Sequence, residues 1–335
     1  MSRPDYRLPE QRLGYFTQLY YATLKYKVSP GLVYLFMPEL ASRYNWSVDQ
    51  KLWFSFINGM TQNPITSMRI MEASPFIPQS KEEFKRLDEW FNREWDKLSF
   101  DTDRRKQKRD TLKAIWSYSE LVKEHGSQET TWKQKTPYSV LWERANGKIY
   151  SFGRLSAFSY LEYVKIMGYG NDCSSLMFEE KEGSRSHRNG ALLLLGHDEI
   201  VWDKRIGNGF NGRYENFEKI CEYLTKAADD FLKDFNARYP EIKGDYYTLE
   251  SCLCTFKNSF FSRRYFGVYA DMSWDRIKWY DDKGMSKYTE IFKDIRSQNL
   301  PEWLREECEN KPVSRSIKAS KFALTGIPYR SEFFL

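Results

Sequence analysis

Two serines, each followed three residues later by a residue that can hydrogen-bond back to the serine's own amide, constrain this chain most. Ser47 is answered by Gln50 and Ser80 by Glu83. Each pair forms a capping box, in which the serine oxygen accepts from the third backbone N–H of a helix and the Gln or Glu reaches back to the cap. Behind the first box stand Leu52, Trp53, Phe56, Ile57 and Met60. Behind the second stand Phe84, Leu87, Phe91, Trp95 and Leu98. Both sets follow the 3.6-residue period and bury one stripe. Ser29-Pro30 predicts another helix start, leading into Leu32, Leu35, Phe36 and Leu40, because proline suits the first helical position. A long helix is predicted over Tyr214 to Tyr239 from Phe217, Ile220, Leu224, Phe231 and Phe235. Strand signals are weak. Ala191 to Leu195 fits a buried strand or a helix turn equally well. The fold class is therefore mainly α, more than half helix.

The 335 residues suffice for one large unit or two lobes. Apolar runs are too short to span a membrane, and Met1 to Asp5 lacks the apolar stretch of a signal peptide. Five scattered cysteines without a CxxC pair point to reduced thiols, hence a cytoplasmic protein (host cytoplasm if viral) with no membrane partner. With three histidines no metal cluster is legible, and no metal or cofactor is expected. The net charge of +6 favours an anionic partner. Arg104, Arg105, Lys106, Lys108 and Arg109 sit together, as a solvated segment or as phosphate contacts. Aromatics reach 17%; a bulky core accounts for most of these rings, and some of them could form faces on which bases stack. Gly207-Asn208-Gly209-Phe210-Asn211-Gly212 matches G-x-G-x-x-G, but no buried strand precedes it and no βαβ series surrounds it, which argues against a dinucleotide site.

Gly147-Lys148-Ile149-Tyr150-Ser151-Phe152-Gly153-Arg154 reads as a tight turn opening a helix with Leu155, Phe158 and Leu161 on one side. Such a turn can present backbone amides to a DNA phosphate. The segment resembles the helix-hairpin-helix of DNA glycosylases, here over residues 145–167. In that family a catalytic Asp follows the hairpin helix, and Asp172 falls at about that place. Leu155 stands where bifunctional members carry a nucleophilic Lys, which argues against lyase chemistry.

Further segments carry a second resemblance: Asn58-Gly59-Met60-Thr61-Gln62-Asn63, Arg185-Ser186-His187-Arg188-Asn189-Gly190, Glu250 to Lys257, and Arg263-Arg264-Tyr265-Phe266-Gly267. In this order, from about Tyr15 to about Ile277, the chain resembles the bacteriophage alpha-glutamyl/putrescinyl thymine pyrophosphorylases, also called amino acid:DNA transferases. The resemblance implies a glycosylase-like scaffold, as one unit over 1–335 with two helical lobes around a cleft and a C-terminal extension over 300–335. It implies double-stranded DNA carrying phosphorylated or pyrophosphorylated 5-hydroxymethyluracil as substrate, and an amino acid or polyamine as co-substrate. The amine would displace the leaving group from the 5-methylene.

That chemistry sets residue demands. The base must leave the stack. The leaving phosphate needs cations: Arg185, Arg188, Arg263, Arg264 and Lys257 are the candidates. The amine must lose a proton, for which Asp172, Glu250 and His187 are the candidates. Asn58, Thr61 and Asn189 could bind the base or the amine, or could simply cap helix ends. Lys148, Gly153 and Arg154 are the expected contacts to the DNA backbone. A glycosylase excising a modified base, or a non-catalytic helical DNA-binding protein, would use many of the same features.

Overall fold

A computed structural model describes residues 8–26, 32–100, 108–180, 185–198, 217–260, 268–300, 302–309 and 311–313. The Ser29-Pro30 cap, most of the 101–110 basic segment, the 207–212 glycine run, and Arg263 and Arg264 lie outside them. Of the described residues 75% are helical and none is in a strand. The helices are α1 (Pro9–Tyr26), α2 (Leu32–Arg43), α3 (Val48–Thr61), α4 (Pro64–Ala73), α5 (Lys81–Glu94), α6 (Lys108–His125), α7 (Gln128–Thr131) and α8 (Tyr138–Glu143). There follow α9 (Arg154–Ile166), α10 (Arg185–Leu194), α11 (Phe217–Arg238), α12 (Tyr246–Phe260), α13 (Val268–Asp281), α14 (Ser286–Asn299) and α15 (Glu302–Cys308). Among the described residues no helix is long and apolar enough to cross a membrane.

The chain forms two compact units. The first gathers Met1–Val33, Cys173–Trp274 and Arg296–Leu335; the second gathers Tyr34–Asp172 and Asp275–Ile295.

In the second unit both capping boxes form as the spacing predicts. Ser47 and Gln50 open α3, and Ser80 and Glu83 open α5. The core behind α3 is aromatic. Phe56 stacks on Tyr118 with ring centroids 4.0 Å apart and on Phe152 at 5.4 Å. Tyr118 is fully buried, so its hydroxyl needs partners. It has Gln128 Oε1 at 3.0 Å, the Tyr160 hydroxyl at 2.9 Å and Trp132 Nε1 at 3.2 Å. Burial pushes the Tyr118 hydroxyl above its ordinary pKa, so it stays a donor. Gly59 makes the packing of α3 on α9 possible, since a Cβ there would lie 2.9 Å from Tyr160 Cβ.

The first unit is built on α1, α10, α11 and α12. Phe16, Tyr20, Leu192, Leu193, Leu232, Phe235, Leu249, Leu253 and Phe256 form its core. Ala191 to Leu194 is thus the apolar half of a helix, which resolves the strand-or-helix ambiguity. The predicted long helix runs as Phe217–Arg238, with residues 214–216 outside the described residues. Arg296 is fully buried and donates to the carbonyls of Cys308 at 2.7 Å and Glu309 at 3.0 Å, which ties down the end of α15.

Candidate functional site

The first half of α10 buries three consecutive polar residues, His187, Arg188 and Asn189. Burying polar groups is costly unless each finds a partner. Two find theirs in the irregular segment 173–180. His187 Nε2 lies 2.9 Å from the Leu176 carbonyl, and the His187 ring stacks on Phe178 at 5.1 Å. Arg188 donates to the carbonyls of Phe178 and, at 3.2 Å, Glu180. Its guanidinium also lies 5.1 Å from the Phe217 ring centroid.

One glycine sets how closely α10 meets α12. A Cβ on Gly190 would lie 2.2 Å from the Leu253 carbonyl oxygen, so only glycine lets the two backbones touch. One helical turn before Gly190 is His187, and one turn before Leu253 is Glu250; the backbone contact therefore brings these two side chains together. His187 Nδ1 lies 3.4 Å from Glu250 Oε1. Cys254, a further turn along α12, has Sγ 3.6 Å from the same oxygen. His187 and Glu250 are buried and Cys254 half-buried.

The tautomer follows from the partners. A carbonyl can only accept, so Nε2 carries a proton. Nδ1 therefore turns toward the carboxylate, either as the second N–H of an imidazolium or as a lone pair. The lone-pair form, or the carboxylate itself, can accept a proton from a bound nucleophile, and the trio also offers nitrogen, oxygen and sulfur ligands to a metal ion.

The other expected site residues divide. Asp172 lies in the second unit. Its carboxylate is about half exposed (55%) and pairs with Lys165 at 3.1 Å. Its loop is shaped by Gly168 and Gly170, both in the left-handed region (φ +89° and +72°) that glycine alone adopts readily. Asn171 fixes that loop by accepting from Lys135 N at 3.0 Å and donating to the Thr136 carbonyl. Asn58 and Thr61 are buried at the end of α3. Thr61 Oγ1 lies 2.7 Å from Ser67 Oγ, which donates to Asn58 Oδ1 at 3.2 Å. Their hydrogen bonds thus join the end of α3 to α4, whose N-terminus Asn63 caps.

In the turn before α9, Lys148 and Gly153 are exposed. Arg144–Lys148 forms a π-helical turn and Gly153 opens α9 without a side-chain cap. Arg154, expected at the DNA backbone, is buried, with its guanidinium 4.9 Å from the ring centroid of Phe158 one turn ahead. Arg185 starts α10; its side chain is outside the described part. Lys257 is half-buried on α12.

Cys254 is the member of the trio that sequence reasoning missed. The available signal was the i, i+4 spacing of Glu250 and Cys254, which places both on one face of a helix.

The sequence profile described as "Amino acid:DNA transferase" matches residues 34–266. The chain belongs to the amino acid:DNA transferase family. Members transfer amino acids to DNA, so this is an enzyme of DNA modification whose substrates are DNA and an amino acid. A relative described as a serinyltransferase, from Salmonella phage ViI, is 27% identical; the alignment covers 97% of this chain and 83% of the relative. No solved structure matches. The family match takes in α10 and nearly all the described part of the site, including His187, Glu250 and Cys254.

Proposed function

We propose that this transferase modifies a thymine-derived base, replacing a phosphate or pyrophosphate on the exocyclic oxygen of 5-hydroxymethyluracil in DNA with an amino acid. The bond from the 5-methylene carbon to the leaving oxygen breaks, and a bond from that carbon to the amino acid's nitrogen or hydroxyl oxygen forms. The nucleophile's proton is lost at the His187–Glu250 pair, and phosphate or pyrophosphate departs with the electron pair. The relative's description as a serinyltransferase supports a small amino acid, serine first, as donor.

The observation that carries this reading is the buried His187–Glu250 pair, 3.4 Å apart, inside the stretch matched to the family. A carboxylate beside an imidazole supplies the two kinds of side chain that most often accept a proton from a nucleophile. Arg185, Arg263, Arg264 and Lys257 are assigned to the leaving group, because planar guanidinium forks and ammonium groups suit phosphate oxygens. Arg188 is assigned to holding segment 178–180 in place. Lys148 and the start of α9 at Gly153, which has no side-chain cap, are assigned to the DNA backbone, since the amides at a helix start favour a phosphate. The target base must be flipped out of the duplex to be reached.

The test is nucleoside mass analysis. DNA carrying phosphorylated or pyrophosphorylated 5-hydroxymethyluracil is incubated with the enzyme and each candidate donor. A nucleoside heavier by the donor, with matching release of phosphate or pyrophosphate, is expected. Abasic sites in its place would mark a glycosylase, and no product with any amino acid or polyamine would overturn the proposal.

A further inference from the structure

We infer that His187, Glu250 and Cys254 form a site for a single divalent transition-metal ion, zinc by the character of its ligands. The inference rests on the reading of this cluster as the place where the nucleophile is activated, and names the agent.

Geometry is the main argument. The potential ligand atoms of the three residues all lie within 4.8 Å of one another. Zinc binds nitrogen or oxygen at about 2.0–2.1 Å and sulfur at about 2.3 Å, in a tetrahedron. Those lengths require edges of roughly 3.35 Å between nitrogen and oxygen and roughly 3.6 Å between oxygen and sulfur. Nδ1 and Oε1 are 3.4 Å apart, and Oε1 and Sγ are 3.6 Å apart. Two edges of a zinc tetrahedron are thus already in place. As a direct hydrogen bond the 3.4 Å contact would be long.

The surroundings agree. A ligating histidine almost always donates its other ring N–H to a carbonyl or carboxylate, which fixes the tautomer. His187 Nε2 faces the Leu176 carbonyl at 2.9 Å, and Nδ1 is the ring nitrogen that faces the cluster. The ligands stand on two helices whose register is set by the Gly190–Leu253 backbone contact. One nitrogen, one oxygen and one sulfur suit zinc better than magnesium or calcium, which prefer oxygen alone. Three protein ligands leave a fourth position, the pattern of catalytic zinc. An amino acid's hydroxyl, amine or carboxylate is the class of ligand that would fill it; zinc would ease loss of a proton from a hydroxyl or amine bound there, and the second oxygen of the Glu250 carboxylate would take that proton.

The full chain, stripped with chelator and re-equilibrated with zinc, should retain about one ion per chain by elemental analysis after gel filtration. Cobalt in its place should give a sulfur-to-cobalt charge-transfer band and tetrahedral visible bands. Cys254→Ala should abolish the charge-transfer band and weaken zinc binding at least about 100-fold, the upper cost of losing even an outer-shell partner. Cys254→Ser repeats the test with a closer match in size, and circular dichroism checks that each variant is folded. Cys221→Ala, which removes a thiol elsewhere in the unit, should keep the band. Wild-type protein that binds no zinc, or a band that survives Cys254→Ala, overturns the inference. Neither measurement uses DNA or turnover. A chain that binds no zinc yet passes the nucleoside test therefore sinks the zinc alone, and a zinc protein that transfers nothing sinks the proposed reaction alone.

Discussion

Gly190→Ala adds one methyl group where two helix backbones touch. The new Cβ would lie 2.2 Å from the Leu253 carbonyl oxygen and 2.8 Å from its carbon, whereas ordinary contact begins at 3.4 Å. The shortfall of about 1.2 Å falls on backbone, which no side-chain rotation relieves, so α10 and α12 must part. Overpacking of this kind costs about 1–3 kcal/mol, and rigid neighbours put it near the upper end. Alanine returns about 1 kcal/mol of helix propensity. The net loss is about 2 kcal/mol, a fall in Tm of roughly 3 °C for a protein of this size. The same displacement takes His187 and Glu250 from 3.4 Å to beyond hydrogen-bond reach. A misplacement of about 1 Å can cost about 100-fold in rate. Scanning calorimetry and the nucleoside assay read the two effects separately. Gly14→Ala in α1 is the matched control. Nothing lies within 4 Å of its Cβ, so it should gain stability, by up to about 1 kcal/mol, and keep full turnover. A Gly190→Ala protein with wild-type Tm and turnover would refute the view that this contact builds the site.

Two substitutions locate the carboxylate on which activation of the nucleophile depends. Glu250→Gln should lower turnover about 100- to 10,000-fold, while Asp172→Asn, exposed beside Lys165, should stay within a few-fold; the reverse pattern would move the role to Asp172. DNA affinity should fall steeply with salt as phosphate contacts release counterions. Gly153→Val should weaken binding in a folded protein, because φ is −80° and a Cβ there meets open space; unchanged affinity would remove the α9 turn from the DNA contact. The Gln79 and Ser80 amides hold the Glu83 carboxylate below its ordinary pKa. A group shifted down stabilises the fold above its unfolded pKa and loses that contribution as pH falls through the folded value. Wild type and Glu83→Gln should therefore differ in Tm at neutral pH and converge in acid.

What was legible in the sequence was local. The boxes at Ser47 and Ser80 each depend on residues three apart, so spacing alone announced α3 and α5. His187 and Glu250 were each named as a possible base, but their partnership was not readable. It depends on Gly190 meeting Leu253, a contact between distant parts of the chain. Cys254 passed as an ordinary thiol because a metal-ligand pattern in sequence needs close spacing, and here α10 supplies one ligand and α12 two. Arg154 shows the opposite limit. A cation beside a glycine turn suggested a phosphate contact, yet its long stem folds over Phe158.

The second unit is written into the chain in two pieces. Tyr34–Asp172 supplies most of it, but Asp275–Ile295 completes it. Tyr280, fully buried, meets Thr66 Oγ1 at 2.6 Å, and Phe292 packs on Phe36 with centroids 5.3 Å apart. During synthesis this unit must therefore wait, with part of its apolar surface open to water, until more than a hundred intervening residues have left the ribosome. A gene fragment cut to the family-matched stretch of 34–266 would end before that closing piece and should express as an aggregation-prone, partly folded chain. Neither unit can be borrowed as a cassette by trimming at a single linker, and recombination that shuffles such genes would have to carry both segments of the unit together.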